Sequence, residues 1–379
     1  MAETERTSTD ANNDPTSWKE APFLLIKGFL MGSADIVPGV SGGTMALIVG
    51  IYTRLINAIR SFDARFLKQL VRLKVRAALR EVHWKFLFLL LSGMICAVFF
   101  FTKVVPLQVY MFTDPELIYG LFFGLIVGSV VVLAKAINGF HWVHGLAIVL
   151  GTGIGYWVVT LVPTATSESP LFIFVAGSIA ICAMILPGIS GSYILLILRK
   201  YDFILTEIGK LGTSGTVSGL ITLLPFIAGA IVGLALFSRI LSWLLLRYEA
   251  RTLALLIGFL IGSLYMIWPY QERTYTEIVT KEEVIGYTSP KAQELRDQPP
   301  DKLQPEFQRL GEVVNPAAET DESKRIELLT VKQKLIKSDP YVPYITVEGP
   351  RTAHFGQGIW GIVIGLVMVV GLDYLRVKE

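Results

Sequence analysis

A nine-residue phrase that cannot continue a helix occurs twice inside long apolar runs. The first copy is Ala34-Asp35-Ile36-Val37-Pro38-Gly39-Val40-Ser41-Gly42; the second is Ala183-Met184-Ile185-Leu186-Pro187-Gly188-Ile189-Ser190-Gly191. Pro38 and Pro187 stand 149 positions apart (187 − 38), and Gly39/Gly188, Ser41/Ser190, Gly42/Gly191 and Tyr52/Tyr201 keep that offset. Proline removes a backbone donor and glycine admits backbone angles that other residues avoid, so each copy breaks a helix at Pro38-Gly39 or Pro187-Gly188. In hydrocarbon the freed backbone groups need partners, which confines such a break to the protein interior or a wet cavity. Paired Gly/Pro interruptions at corresponding places in two halves point to a transporter's binding site.

The surrounding chain is 53% hydrophobic and 17% charged, with a mean hydropathy of +0.56, which excludes an ordinary soluble domain and indicates a polytopic membrane protein. Cys96 and Cys182 lie in apolar runs and the four histidines form no zinc signature, so neither a metal site nor a structural disulfide is expected. No cofactor and no nucleic-acid partner is expected. Residues 1–20 read as a disordered polar tail. The first apolar run leads into the break rather than to a cleavage site, so no removable signal peptide is expected.

Residues 21–37 and 43–60 form apolar arms around the first break, each short for a full span, which suits a re-entrant hairpin. A basic stretch at 61–85 carries Arg65, Lys68, Arg72, Lys74, Arg76, Arg80 and Lys85. Apolar spans follow near 86–105, 117–134 and 144–162; the second break has arms near 171–186 and 191–206, and further spans lie near 220–246, 252–269 and 356–373. Phe101-Thr102-Lys103 matches Phe237-Ser238-Arg239, and Gly124–Ser129 matches Gly258–Ser263. The expected fold is therefore an all-α polytopic membrane protein of two inverted repeats, each a re-entrant broken helical hairpin plus three transmembrane helices. The first repeat covers 21–162; the second covers 163–269 and resumes at 356–379. Lys/Arg placement puts 61–85 and both termini in the cytoplasm. The same count puts the polar insertion at 270–355 outside, as an exposed loop or small cap, or as a gate or docking element. Helix is allowed there at stretches such as 322–337.

Ser41-Gly42-Gly43-Thr44 and Ser190-Gly191-Ser192 each open a half-helix. A helix start presents unpaired N–H groups and partial positive charge, glycine lets an anion approach, and hydroxyls add donors. Two such starts meeting at depth would make a two-sided anion site; alternatively the hydroxyls only cap the broken backbone. Asp35, an acid in an apolar setting, is a candidate for the coupling proton or sodium ion, or else a helix-capping carboxylate. Arg54, Arg199 and Arg239 are candidate phosphate ligands, or interface anchors.

Met31-Gly32-Ser33-Ala34-Asp35-Ile36-Val37-Pro38-Gly39-Val40-Ser41-Gly42-Gly43-Thr44, continuing to Gly50-Ile51-Tyr52, resembles the signature of the prokaryotic polyprenyl-phosphate transporters of the PopT type. Ile185–Ser192, continuing to Tyr201, resembles the second signature of that family. The resemblance covers roughly 21–270 and 356–375. It implies a non-enzymatic flippase in the cytoplasmic membrane that returns undecaprenyl phosphate, the carrier lipid of peptidoglycan and other envelope glycans, from the outer to the cytoplasmic leaflet. The chain departs from the family at Thr53, where an acid is usual, and at Arg199, where glycine is usual. Pro-Gly-x-Ser also resembles part of the phosphate loop of membrane undecaprenyl-diphosphate phosphatases. Those enzymes need an arginine after the serine and a Glu-rich partner motif, whereas Gly42 and Gly191 stand there and no such motif is present. An ion-coupled carrier of a small soluble anion is the other alternative.

Overall fold

The computed structural model describes residues 16–37, 40–137, 139–163, 166–212, 215–297, 304–315, 320, 323–343 and 355–377. Pro38, Gly39 and residues 1–15 of the tail expected at 1–20 lie outside these residues; the end of that tail is ordered, Trp18–Glu20 forming a short 3-10 turn capped by Ser17. The first broken hairpin comprises α1 (Ala21–Ile36), α2 (Gly42–Ile48) and α3 (Tyr52–Arg60). The basic stretch follows as two short helices, α4 (Ala64–Val71) and α5 (Val75–Glu81). Then come α6 (Trp84–Lys103), the short α7 (Leu107–Thr113), α8 (Pro115–Ala136) and α9 (Trp142–Val159). The second hairpin is α10 (Pro170–Ile185), α11 (Gly191–Ile197) and α12 (Tyr201–Gly209). Every boundary of these three helices is the boundary of α1, α2 or α3 moved by 149 positions (170 − 21). Two apolar helices follow, α13 (Thr216–Arg247) and α14 (Glu249–Ser263). After a small α/β segment the last helix is α16 (Phe355–Val377), preceded in that segment by α15 (Pro290–Asp297).

Among the described residues four helices, α6, α8, α9 and α13, are long and apolar enough to cross a membrane; α10 and Phe355–Gly371 are shorter apolar helices. The chain is a multi-pass membrane protein. Large apolar side chains such as Ile95, Phe99 and Leu246 are exposed on these helices, as expected where lipid rather than water is the solvent.

The second arm of each hairpin is two helices rather than the single arm expected at 43–60 and 191–206. The reason is a left-handed residue at the same repeat position: Gly50 has φ +73° and Arg199 has φ +50°. Either one reverses the backbone and ends the helix before it.

The chain divides into two compact units. The first contains both hairpins, spanning Met1–Val104, Phe122–Ile267 and Val363–Glu379. Here helices meet through glycines that let backbones touch. A Cβ at Gly28 would collide with the Leu90 carbonyl and one at Gly93 with that of Leu25, which joins α1 to α6. Gly177, the repeat partner of Gly28, and Gly229 join α10 to α13 in the same manner, against Phe226 and Phe174. Gly151 and Gly155 face Gly258 and Gly262 between α9 and α14. The small-residue pair of Gly258 and Gly262 therefore serves packing.

The second unit is Val105–Leu121 with Trp268–Ile362, and it corrects the all-α expectation. Three antiparallel strands, β1 (Gln271–Gly286), β2 (Glu306–Val313) and β3 (Arg325–Pro340), form a sheet in the order β1-β3-β2. The stretch 322–337, allowed as helix, is mostly β3. Val331 is central, opposite Val279 on one side and Phe307 on the other. It is fully buried, with Phe307, Ile326 and Leu328 also buried. The open ends of β1 and β3 are drawn together by Tyr270, whose carbonyl accepts from Tyr341 N at 2.9 Å. Its hydroxyl donates to the Phe355 carbonyl at 2.8 Å at the start of α16.

Gly93→Leu should lower stability by about 1–3 kcal/mol, because the α1 backbone occupies the space the side chain needs. A thermal melt in detergent reads this out, with Gly153→Leu, whose surroundings are open, as the neutral control.

Candidate functional site

The two breaks meet. At the first, Ser41 caps α2: its Oγ accepts from Gly43 N at 3.2 Å and donates to the Met184 carbonyl at 3.3 Å. Thr44 is fully buried in the first turn of α2, and its Oγ1 accepts from Gly188 N at 2.9 Å. Tyr52, at the start of α3, donates to the Ile185 carbonyl at 3.1 Å. Thus three hydroxyls of the first hairpin satisfy backbone groups that the second break leaves without helical partners. Gly43 is required by the same approach, since a Cβ there would lie 2.7 Å from the Ile185 oxygen. Gly188, with φ +85°, supplies the left-handed turn and abuts the Phe259 carbonyl, which a Cβ would approach to 2.7 Å. Pro187 is buried beside it.

The two half-helix starts differ in charge. Asp35 Oδ1 accepts from Gly42 N at 2.6 Å, so a carboxylate already occupies the first amide of α2. A side chain at Gly42 would strike that carboxylate. The position equivalent to Asp35 is Met184, which is exposed. Ser190 precedes α11 without capping it and instead shares a 2.8 Å hydrogen bond with Ser192 Oγ. Ser190 is half-buried and Ser192 exposed, while Gly191 is buried against the Ala180 carbonyl. One start is therefore closed by the protein's own anion, and the other offers two hydroxyls beside uncapped amides.

The three candidate arginines are not bonded to the breaks among the described residues. Arg54 is held by Glu20 at 2.8 Å and Thr16 at 2.8 Å, with its guanidinium 4.8 Å from the centre of the Phe86 ring. It fastens the residues before α1 to α3. Arg199 is exposed on its left-handed turn, and Arg239 is exposed on α13. The buried cation of the second hairpin is Lys200, 3% exposed. Its Nζ donates to the Thr166 carbonyl at 3.2 Å and sits against the rings of Phe172 and Phe203. Tyr52 is the cross-hairpin donor that sequence reasoning does not single out, although its shared offset with Tyr201 is a signal; Lys200, beside Tyr201, is bonded to Thr166 rather than to the breaks.

A family model described as undecaprenyl phosphate translocase-like matches residues 31–285. A polyprenyl-phosphate transporter of Vibrio cholerae is 38% identical over 247 residues, covering 65% of this chain and 77% of that protein. A polyprenyl-phosphate transporter of Staphylococcus aureus is 33% identical over 259 residues, covering 65% of this chain and 85% of that protein. No solved structure matches.

Thr44→Val keeps the shape of the side chain but strands the Gly188 N–H, and should cost about 1–3 kcal/mol in a thermal melt, whereas Thr44→Ser should retain most of the stability. Arg199→Gly should raise stability by about 1 kcal/mol by relieving the left-handed backbone, and Arg199→Ala should not, because a Cβ remains. Equal melts for Arg199→Gly and Arg199→Ala would remove strain as the explanation.

Proposed function

The chain belongs to the undecaprenyl phosphate translocase-like family, and from that premise we propose that it is a flippase for undecaprenyl phosphate. It carries the lipid from the outer to the cytoplasmic leaflet of a prokaryotic cytoplasmic membrane, for reuse as the carrier of envelope glycans. The observation that carries this reading is the meeting of two broken helices, one start open and hydroxyl-lined, the other closed by a carboxylate. An ionised phosphate cannot cross hydrocarbon without such a polar station, and the prenyl tail stays in lipid throughout. The two halves are related by inversion, each hairpin being re-entrant, with both termini cytoplasmic and residues 270–355 extracytoplasmic.

In this mechanism the phosphate docks first at the α11 start, on Ser190, Gly191 and Ser192. Arg199 and Arg239, which have no carboxylate partner among the described residues, serve as the cations along its route, while Arg54 stays engaged with Glu20. The α2 start, with Ser41, Gly42, Gly43 and Thr44, opens only when Asp35 lets go of Gly42 N. An ionised Asp35 repels the phosphate and competes with it for the same donor. A proton or sodium ion on Asp35 removes both obstacles, so ion and lipid move together. The repeated hydroxyls and the single acid support this assignment of roles.

The test is leaflet exchange of undecaprenyl phosphate in proteoliposomes, with and without imposed proton and sodium gradients. Ser190→Ala/Ser192→Ala should slow exchange about tenfold or more, through loss of hydrogen bonds to a charged group. Asp35→Asn retains an acceptor for Gly42 N but cannot ionise, so exchange should cease to respond to either gradient. Wild-type behaviour of both variants would overturn the assignment. Phosphate release from undecaprenyl diphosphate would instead indicate an enzyme, and equal competition by tail-free phosphates a small-anion carrier.

A further inference from the structure

The basic stretch between the first hairpin and α6 takes no part in the site, and its surface chemistry is unusual. α4 and α5 are 8 and 7 residues long, far too short to span a bilayer, yet they expose Leu70, Val71, Leu73, Val75 and Leu79. Val71 is 75%, Leu73 86% and Val75 54% exposed. Leu73 makes the turn between the helices with φ +55°. Water favours glycine or asparagine at such a position, for backbone freedom and for solvation alike. A leucine there is disfavoured on both counts, and entry of its side chain into an apolar phase removes the second and offsets the first.

Cations flank this tip on both sides in the sequence. Arg65, Lys68, Arg72, Lys74 and Arg76 are exposed, and none has a carboxylate partner among the described residues. Asp63 is used locally, its Oδ1 accepting from Arg65 N at 2.8 Å and Phe66 N at 3.0 Å to start α4. The opposite side is fixed to the protein by buried Ala78 and Val82. Two residues further, Trp84 opens the membrane helix α6 and meets Trp18 edge to face at 6.4 Å. Paired tryptophans of this kind mark the level of lipid headgroups. The apolar tip is thus held near the bilayer surface by the span that follows it.

We propose that α4, Leu73 and α5 form a surface anchor that inserts its Val71–Val75 tip into the bilayer interface and binds the anionic headgroups of that leaflet through the flanking lysines and arginines. An apolar tip flanked by cations is the complement of a negatively charged lipid surface: insertion holds the tip, and the phosphates neutralise the cations. The anchor fixes the end of the first hairpin relative to the membrane plane, independently of what the breaks carry.

The test uses the full-length protein with Cys96→Ala and Cys182→Ala, an environment-sensitive fluorophore on Val71→Cys, and proteoliposomes of phosphatidylcholine with or without phosphatidylglycerol. In the anionic bilayer the probe should be quenched by lipid-borne quenchers and shielded from iodide. Removing charges in Arg72→Gln/Lys74→Gln/Arg76→Gln should shift the inserted-to-free ratio by roughly fivefold per charge. Leu73→Asp should expose the probe in both bilayers. Leu73→Gly should leave the melting temperature in detergent unchanged or higher, since the turn prefers glycine, while weakening insertion. A probe equally open to iodide in both bilayers would overturn the proposal. So would shielding that persists without phosphatidylglycerol and ignores the charge variants, which would point to a protein partner or a second copy on the tip.

Discussion

A broken helix surrounded by apolar material must find partners for the amides and carbonyls that the break releases. Here the second hairpin does not find them within itself. Ser41, Thr44 and Tyr52 of the first hairpin provide them, at Met184 O, Gly188 N and Ile185 O. Much else serves that meeting. Gly43 is bare so that α2 can reach the end of α10, and Gly188 turns left-handed to present its N–H. The glycine contacts of α1 with α6 and of α10 with α13 hold both hairpins by the same close backbone approach.

The repeat is strict in backbone and loose in charge. Helix boundaries of the two hairpins coincide under a single offset, and so do the left-handed residues Gly50 and Arg199. Chemistry has diverged on that common frame. Asp35 is replaced by Met184 at the equivalent position, and the paired Arg54 and Glu20 are replaced by Phe203 and Ser169, Phe203 instead being one of the two rings beside Lys200. Two equivalent helix starts therefore present opposite electrostatics to whatever approaches them, which a perfectly symmetric pair could not do.

What was legible in the chain followed from local rules. Pro-Gly within apolar runs located both breaks, and repeated residues at a constant offset aligned the two hairpins. The subdivision of each second arm was not legible in the residue itself, because an arginine does not signal a left-handed backbone; its alignment with Gly50, and the glycine usual at that place in the family, are the signs that do. The sheet was hidden for a different reason. β3 mixes Leu, Lys and Glu as a helix does, and becomes a strand because β1 and β2 flank it from remote parts of the sequence. At the site, the hydroxyls and Asp35 were recognisable as residue types, but their partners lie across the repeat, where no local pattern reaches. Arginine chemistry alone does not fix a phosphate ligand, and Arg54 shows how a neighbour such as Glu20 redirects it.

The shared hydrogen bonds also bear on how the protein is made. Translation delivers Ser41, Thr44 and Tyr52 long before the backbone of 184–188 exists. The glycine contact between α1 and α6 can close as soon as α6 is inserted, since Gly28 and Gly93 need nothing further. The hydroxyls of Ser41, Thr44 and Tyr52 have no such early resolution: their cross-hairpin partners at 184–188 lie in a segment still inside the ribosome. Until then they must be kept hydrated or shielded by the insertion machinery. Assembly of the first half is thus held open by its own polar groups, and the arrival of the second break completes both halves together.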